Sequence, residues 1–75
     1  MGKLNRLPAR KVIQKLKIAG FTETHQRGSH LYLKNVDGTK IITVPVHGSS
    51  DIPVGTLHNI VVRQAGLTVD EFNAL

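Results

Sequence analysis

The order of apolar patterns along this chain predicts an α+β fold, α-β-β-β-α, with a three-stranded antiparallel sheet and helices on one face. Three observations predict it. Apolar residues recur at helical spacing near the start and again past residue 55. Between those stretches, apolar and polar residues alternate with a period of two. An Asp37-Gly38 pair, a strong hairpin signal, then separates that alternating run from a β-branched one.

Each element has its own warrant. Residues 1–7 form a short basic lead-in. Pro8 sits where a helix tolerates proline, in its first turn. Ala9, Val12, Ile13, Leu16 and Ala19 make one apolar stripe, so residues 9–19 are predicted helical, with Arg10, Lys11, Lys15 and Lys17 largely outside the stripe. Gly20 supplies the stop, and Phe21 folds back onto the core. A polar, threonine-rich first strand is expected over 22–26, turned by Arg27-Gly28. In the second strand, over 30–35, Leu31 and Leu33 fall on one face and His30, Tyr32 and Lys34 on the other. The third strand is expected over 40–46, burying Ile42 and Val44. After a loop from His47 to Ser50, Asp51 and Pro53 lead into a second helix. Its inward stripe is Leu57, Ile60, Val61 and Gln64–Ala65, and Gly66 ends it. Thr68 and Glu71 then match a capping box, starting a last short helix held to the core by Phe72 and Leu75.

Seventy-five residues are read as a single domain, 1–75, with a modest core. The absence of cysteine excludes disulfides and thiolate metal sites and suits a reducing cytoplasm. No apolar run approaches the roughly 18 residues that cross a membrane, and the start lacks the apolar stretch of a signal peptide. A cytoplasmic protein with no membrane partner is expected. The net charge of +5 is uneven. Residues 1–40 hold six Lys, three Arg and two acids, or +7, whereas residues 41–75 hold one Arg and three acids, or −2. The cationic half points to a polyanion, above all nucleic acid.

Gly28-Ser29-His30 lies inside that half. Histidine suits proton transfer near neutral pH, and a Gly-Ser turn presents N–H groups and a hydroxyl to an anion. RNA carries its own nucleophile, the 2′-hydroxyl. Its cleavage needs only removal of that proton, charge stabilisation at phosphorus and protonation of the leaving 5′-oxygen. His30 suits the first or last task. Lys34, Lys40 or Arg27, with the N–H groups of Gly28 and Ser29, suit the second. The pattern alone equally permits His30 as a strand histidine without a role. His47 either contacts phosphate or bonds loop backbone. His25, expected near His30 across the hairpin, reads better as an exposed polar strand residue than as an acid partner, and His58 as structural or solvent-exposed. Five acids and four irregularly spaced histidines give no metal pattern, and no nucleophile elbow surrounds any serine, so no metal or cofactor is expected. Aromatic stacking platforms typical of single-strand binders are thin, with Tyr32 the only plausible surface aromatic.

Read in order, these residues resemble the HicA (YcfA-like) toxins. The signposts are Leu16 to Gly20-Phe21, Gly28-Ser29-His30, Val44-Pro45-Val46-His47, Gly55-Thr56-Leu57 with Ile60, and Gln64-Ala65-Gly66-Leu67 before Glu71-Phe72. The tripeptide is moderately specific and the ordered set highly so. The resemblance implies a double-stranded-RNA-binding-domain-like fold and the toxin of a type II toxin–antitoxin system. Such a toxin is a metal-independent endoribonuclease acting on mRNA, masked by a HicB-type antitoxin. It also implies a catalytic role for His30 and, less firmly, one for His47. Relatives often carry a second histidine after Gly-Ser-His, where this chain has Leu31, and a glutamate near the start of the first helix, where it has Arg10-Lys11. The alternative from another class is a non-catalytic RNA-binding domain of the same architecture. An antitoxin is expected to cover the His30 face, with acidic groups against Lys11, Lys15, Lys34 or Lys40.

Overall fold

The computed structural model describes residues 2–46 and 50–75. The first helix, α1 (Ala9–Ile18), follows a two-residue strand, β1 (Leu7–Pro8). Pro8 is its N-cap and Ala19 its C-cap, as the proline and the apolar period predict. Three strands follow: β2 (Thr22–Arg27), β3 (His30–Lys34) and β4 (Ile41–Pro45). They form an antiparallel sheet in the order β2-β3-β4. Beyond it lie β5 (Asp51–Ile52), α2 (Val54–His58), a π-helical segment (Asn59–Gln64) and α3 (Val69–Asn73). The α-β-β-β-α order and the antiparallel sheet agree with the sequence prediction.

Pleating sorts the sheet's side chains. Leu31, Leu33, Ile42 and Val44 are buried on one face against Val12 and Leu16 of α1, Leu57 of α2 and Ile60 and Val61 of the π-helical segment. Phe72 of α3 is fully buried in the same cluster. Among the described residues none of the buried ones is polar or charged, so the core depends on apolar packing. Thr68 and Glu71 form the expected capping box: Thr68 Oγ1 accepts from the Glu71 N–H at 3.0 Å, and Glu71 Oε1 accepts from the Thr68 N–H at 2.8 Å.

Four features were not foreseen. The basic lead-in is tied down rather than trailing: Leu4 is buried, and Leu7–Pro8 pairs antiparallel with Asp51–Ile52. The Gly2 N–H donates to Asp70 at 2.8 Å, and Asn73 donates to the Lys3 carbonyl at 3.1 Å, fastening the lead-in to α3. Second, the helix after Pro53 widens from Asn59 into π geometry, with the Ala65 N–H reaching the Ile60 carbonyl five residues back. Gln64, expected among the inward residues, instead caps a sheet edge: its Oε1 accepts from the Thr43 N–H at 2.7 Å. Third, Lys15 is half-buried and faces inward. Its Nζ donates to the Phe72 and Leu75 carbonyls at 3.3 Å each and lies 5.0 Å from the centre of the Phe72 ring. A long aliphatic stem lets a lysine cross apolar surface and leave its charge at the edge, here on the C-terminal carbonyls of α3. Fourth, β2 carries a bulge. Its register with β3 shifts by one residue between Glu23 and His25, leaving Thr24 as the extra residue.

Candidate functional site

The helix-free face of the sheet is built from rows of directly opposed residues. One row is Arg27, His30 and Pro45; the next is His25, Tyr32 and Thr43. Lys34 lies one further step of two residues along β3, opposite Thr22 on β2 and Ile41 on β4. Successive rows stand about 7 Å apart along the strands. His30, Arg27 and Lys34 are exposed and Tyr32 is half-buried, as the alternation predicts.

The first row owes its geometry to the turn. Arg27 and His30 oppose each other across a two-residue loop, Gly28-Ser29, in which Gly28 has φ +58 and Ser29 keeps a negative φ. A positive then a negative φ is the signature of a II′ hairpin turn, whose twist matches that of the strands and whose first central position favours glycine. The turn is held on two sides. Gln26 donates its amide to the Gly28 carbonyl at 3.1 Å, and the Val46 N–H donates to the Ser29 carbonyl at 2.7 Å. His30 therefore sits at a fixed corner, flanked by a guanidinium-bearing residue on β2 and a proline on β4.

The second row follows from the same turn, and the bulge lies just beyond it. Glu23 opposes Leu33, whose side chain is buried among the helices, and pairs with Lys17 of α1. Counted back from the Gly28-Ser29 turn, His25 opposes Tyr32 with no insertion, on the open face with Arg27. There the His25 and Tyr32 rings stack with centroids 4.5 Å apart and planes 5° from parallel. The extra Thr24 comes next and turns Glu23, which unbroken alternation would leave on the open face, to the helix side. Bulges commonly re-aim a side chain in this way. Thr24 pins its own bulge: its hydroxyl donates to the Tyr32 carbonyl at 3.2 Å and lies 3.1 Å from His25 Nδ1.

Two expected members lie elsewhere. Lys40 precedes β4 in the phase of buried Ile42, beyond the Lys34 end of the sheet. A Cβ on Gly66, at the end of the π-helical segment, would meet its ammonium at 2.6 Å. It thus lies on the helix side, more than about 15 Å along the strands from His30. His25, expected near His30 across the hairpin, lies one row away opposite Tyr32, and Arg27 stands across from His30. His47 falls outside the described residues. His58 is exposed at the end of α2. The bulge and the ring stack escaped the sequence reading because Thr22–Arg27 is polar throughout, so no apolar phase marks the slip.

The face suits an extended anion. Among the described residues there is no enclosed pocket, no group of three potential metal-ligating side chains, and no helix long and apolar enough to cross a membrane. What it presents is an open strip carrying a base, stacked rings and cations at two levels.

Comparison with known proteins agrees with the ordered signposts. A family model described as the HicA toxin of bacterial toxin–antitoxin systems matches residues 9–67, from the first residue of α1 to the loop before α3. No curated protein matches the chain.

Proposed function

Since this chain belongs to the HicA toxin family and so is the toxin of a bacterial toxin–antitoxin pair, we propose that it is a metal-independent endoribonuclease whose proton-transfer residue is His30. The observation that carries this reading is the position of His30. It is exposed on the open face of a basic hairpin, directly across a two-residue turn from Arg27.

The chemistry follows from RNA itself. The 2′-oxygen attacks the adjacent phosphorus, the bond from phosphorus to the 5′-oxygen breaks, and a 2′,3′-cyclic phosphate and a 5′-hydroxyl result. One group takes the 2′ proton and one supplies a proton to the 5′-oxygen; His30 fills one of these roles. Charge builds on the phosphoryl oxygens between the two events. Arg27 opposes it with a fixed positive charge, and the N–H groups of the Gly28-Ser29 turn add dipoles. Lys34 and Tyr32 extend the contact along β3, and His47, two residues after Pro45 in the sequence, is an auxiliary candidate. DNA lacks the 2′-hydroxyl and is not cut by this route.

The partner is a HicB-type antitoxin that covers the His30 face, as befits a type II pair acting on mRNA in the cytoplasm. Exposed Lys11 and Lys34 are the cations open to its acidic groups, and opposite charge makes its association rate salt-sensitive. Lys15 is engaged by α3 and Lys40 stands beside Gly66.

The test is incubation with a long single-stranded mRNA in the presence of EDTA. Fragments are expected from the parent chain and near-complete loss of them from folded His30→Ala. Cleavage by that variant at the parent rate overturns the assignment. Intact RNA with a salt-sensitive gel shift would make the chain a non-catalytic RNA-binding domain instead.

A further inference from the structure

Among the described residues no second ring stacks on the other face of Tyr32, and the strand order determines where that face looks. His25, Tyr32 and Thr43 are directly opposed residues on β2, β3 and β4. The His25 and Tyr32 rings are parallel at 4.5 Å, close to the spacing of adjacent strands, so they stack across the strands rather than along them. The second face of Tyr32 therefore looks toward β4. There the row continues with Thr43, whose short side chain cannot occupy a third layer.

The neighbours of Thr43 on this face complete a slot. Pro45 is half-buried on one side, and Ile41, at 62% exposure, stands on the other. The space above Thr43 thus has an aromatic wall, a small polar floor and two apolar ends. His30 and Arg27 lie one row away toward the turn, and Lys34 one row away in the other direction.

We propose that this slot is a nucleobase-binding subsite, in which one base of a single-stranded RNA stacks on Tyr32 above Thr43 as the third layer of the His25–Tyr32 stack. The proposal rests on the nuclease reading for its substrate class. It adds how the strand is held: a base in the slot sets its own sugar–phosphate about one row away, beside His30 and Arg27. The neighbouring phosphate on the other side falls toward Lys34. Stacking accepts any base, so the subsite supplies affinity and register without demanding a particular base. His25 is a positioning residue here. Bonded through Nδ1 to Thr24, it props the tyrosine ring upright for its ligand.

Tyr32 is the sole tyrosine of a chain without tryptophan, so its fluorescence reports this position alone. The parent chain is titrated with a short oligodeoxyadenylate, which lacks the 2′-hydroxyl and stays intact. It is titrated in parallel with an abasic deoxyribose-phosphate strand of equal length. The base-bearing strand is expected to quench Tyr32 and to bind about 5- to 150-fold more tightly than the abasic one. Tyr32→Phe keeps that preference in a binding assay with end-labelled strands. Tyr32→Leu loses it, as does Thr43→Phe, which fills the slot from β4 and leaves Tyr32 in place. Equal affinity for the two strands with unchanged fluorescence overturns the subsite, even if the parent chain cleaves RNA. A base-dependent quench from a chain that cleaves no RNA sustains the subsite and removes the nuclease reading, so the two fail separately.

Discussion

Alternate residues of β3 belong to two surfaces with different demands. Leu31 and Leu33 are buried against the helices, Leu33 completely, and any replacement there must fit a packed cluster. His30, Tyr32 and Lys34 face away from that cluster, where packing dictates neither charge nor ring. The same backbone serves both, so a change on one surface can leave the other intact. Stability and activity are therefore separable along a single strand five residues long.

The sharpest way to break this separation is to mutate on each side of it. His30→Ala is expected to lower the RNA cleavage rate by about 10²- to 10⁴-fold, the usual cost of losing a positioned proton-transfer group. Its urea unfolding midpoint should match the parent's; a large drop would mean that the open face also carries the fold. Leu33→Ala is the mirror experiment. Losing a fully buried leucine costs about 2–5 kcal/mol, a large share of the roughly 5–15 kcal/mol typical of a whole domain. Equilibrium denaturation measures it, and a loss below about 1 kcal/mol would contradict the packing described for the inner face.

Smaller effects refine the picture. Arg27→Ala should weaken RNA binding at every sequence alike and reduce the slope of log affinity against log salt by about one, read from binding at several salt concentrations. An unchanged slope would mean that Arg27 meets no phosphate. Far from the open face, Thr68→Ala should cost about 1 kcal/mol by removing the cap of α3, with RNA binding unaffected. The least effect is expected at the Asp37 turn. Hydrogen bonds from the Thr39 hydroxyl and then the Thr39 N–H hold the Asp37 carboxyl below its ordinary value of 3.8. A lowered folded value means that the carboxylate steadies the hairpin above that pH, and that this support fades as pH falls through the lowered value. Asp37→Asn should therefore flatten the acid limb of stability against pH slightly, while neutral-pH cleavage stays at the parent rate. A steeper acid limb in the variant would reverse the assigned sign.

Much of this was legible in the sequence because it is local. Alternation from His30 to Lys34 gave both faces of β3, Gly28-Ser29 gave the turn, and Thr68 with Glu71 gave the last helix start. What escaped depends on partners distant in sequence or on a single inserted residue. Leu7–Pro8 finds Asp51–Ile52 only when the chain has folded, and two residues carry no period. Lys15 looked like a solvated cation because its ligands, the carbonyls of Phe72 and Leu75, lie at the other end of the chain. For the candidate site, His30, Arg27, Tyr32 and Lys34 were placed together correctly. The bulge at Thr24 was missed, since an insertion in an all-polar strand alters no pattern that can be counted.

That bulge has a consequence for the protein in company with its own copies. β2 lies at the edge of the sheet, exposed along all six residues, and a straight exposed edge is a template onto which another molecule can add a strand. Thr24 interrupts the repeat of N–H and C=O groups partway along, and Glu23 and Arg27 place charges on either side of the interruption. A second chain arriving at that edge would meet a kinked ladder and lose its register after a few residues. The inserted threonine that turns Glu23 toward Lys17 also protects against edge-to-edge aggregation, and its deletion should show first as loss of solubility at high concentration.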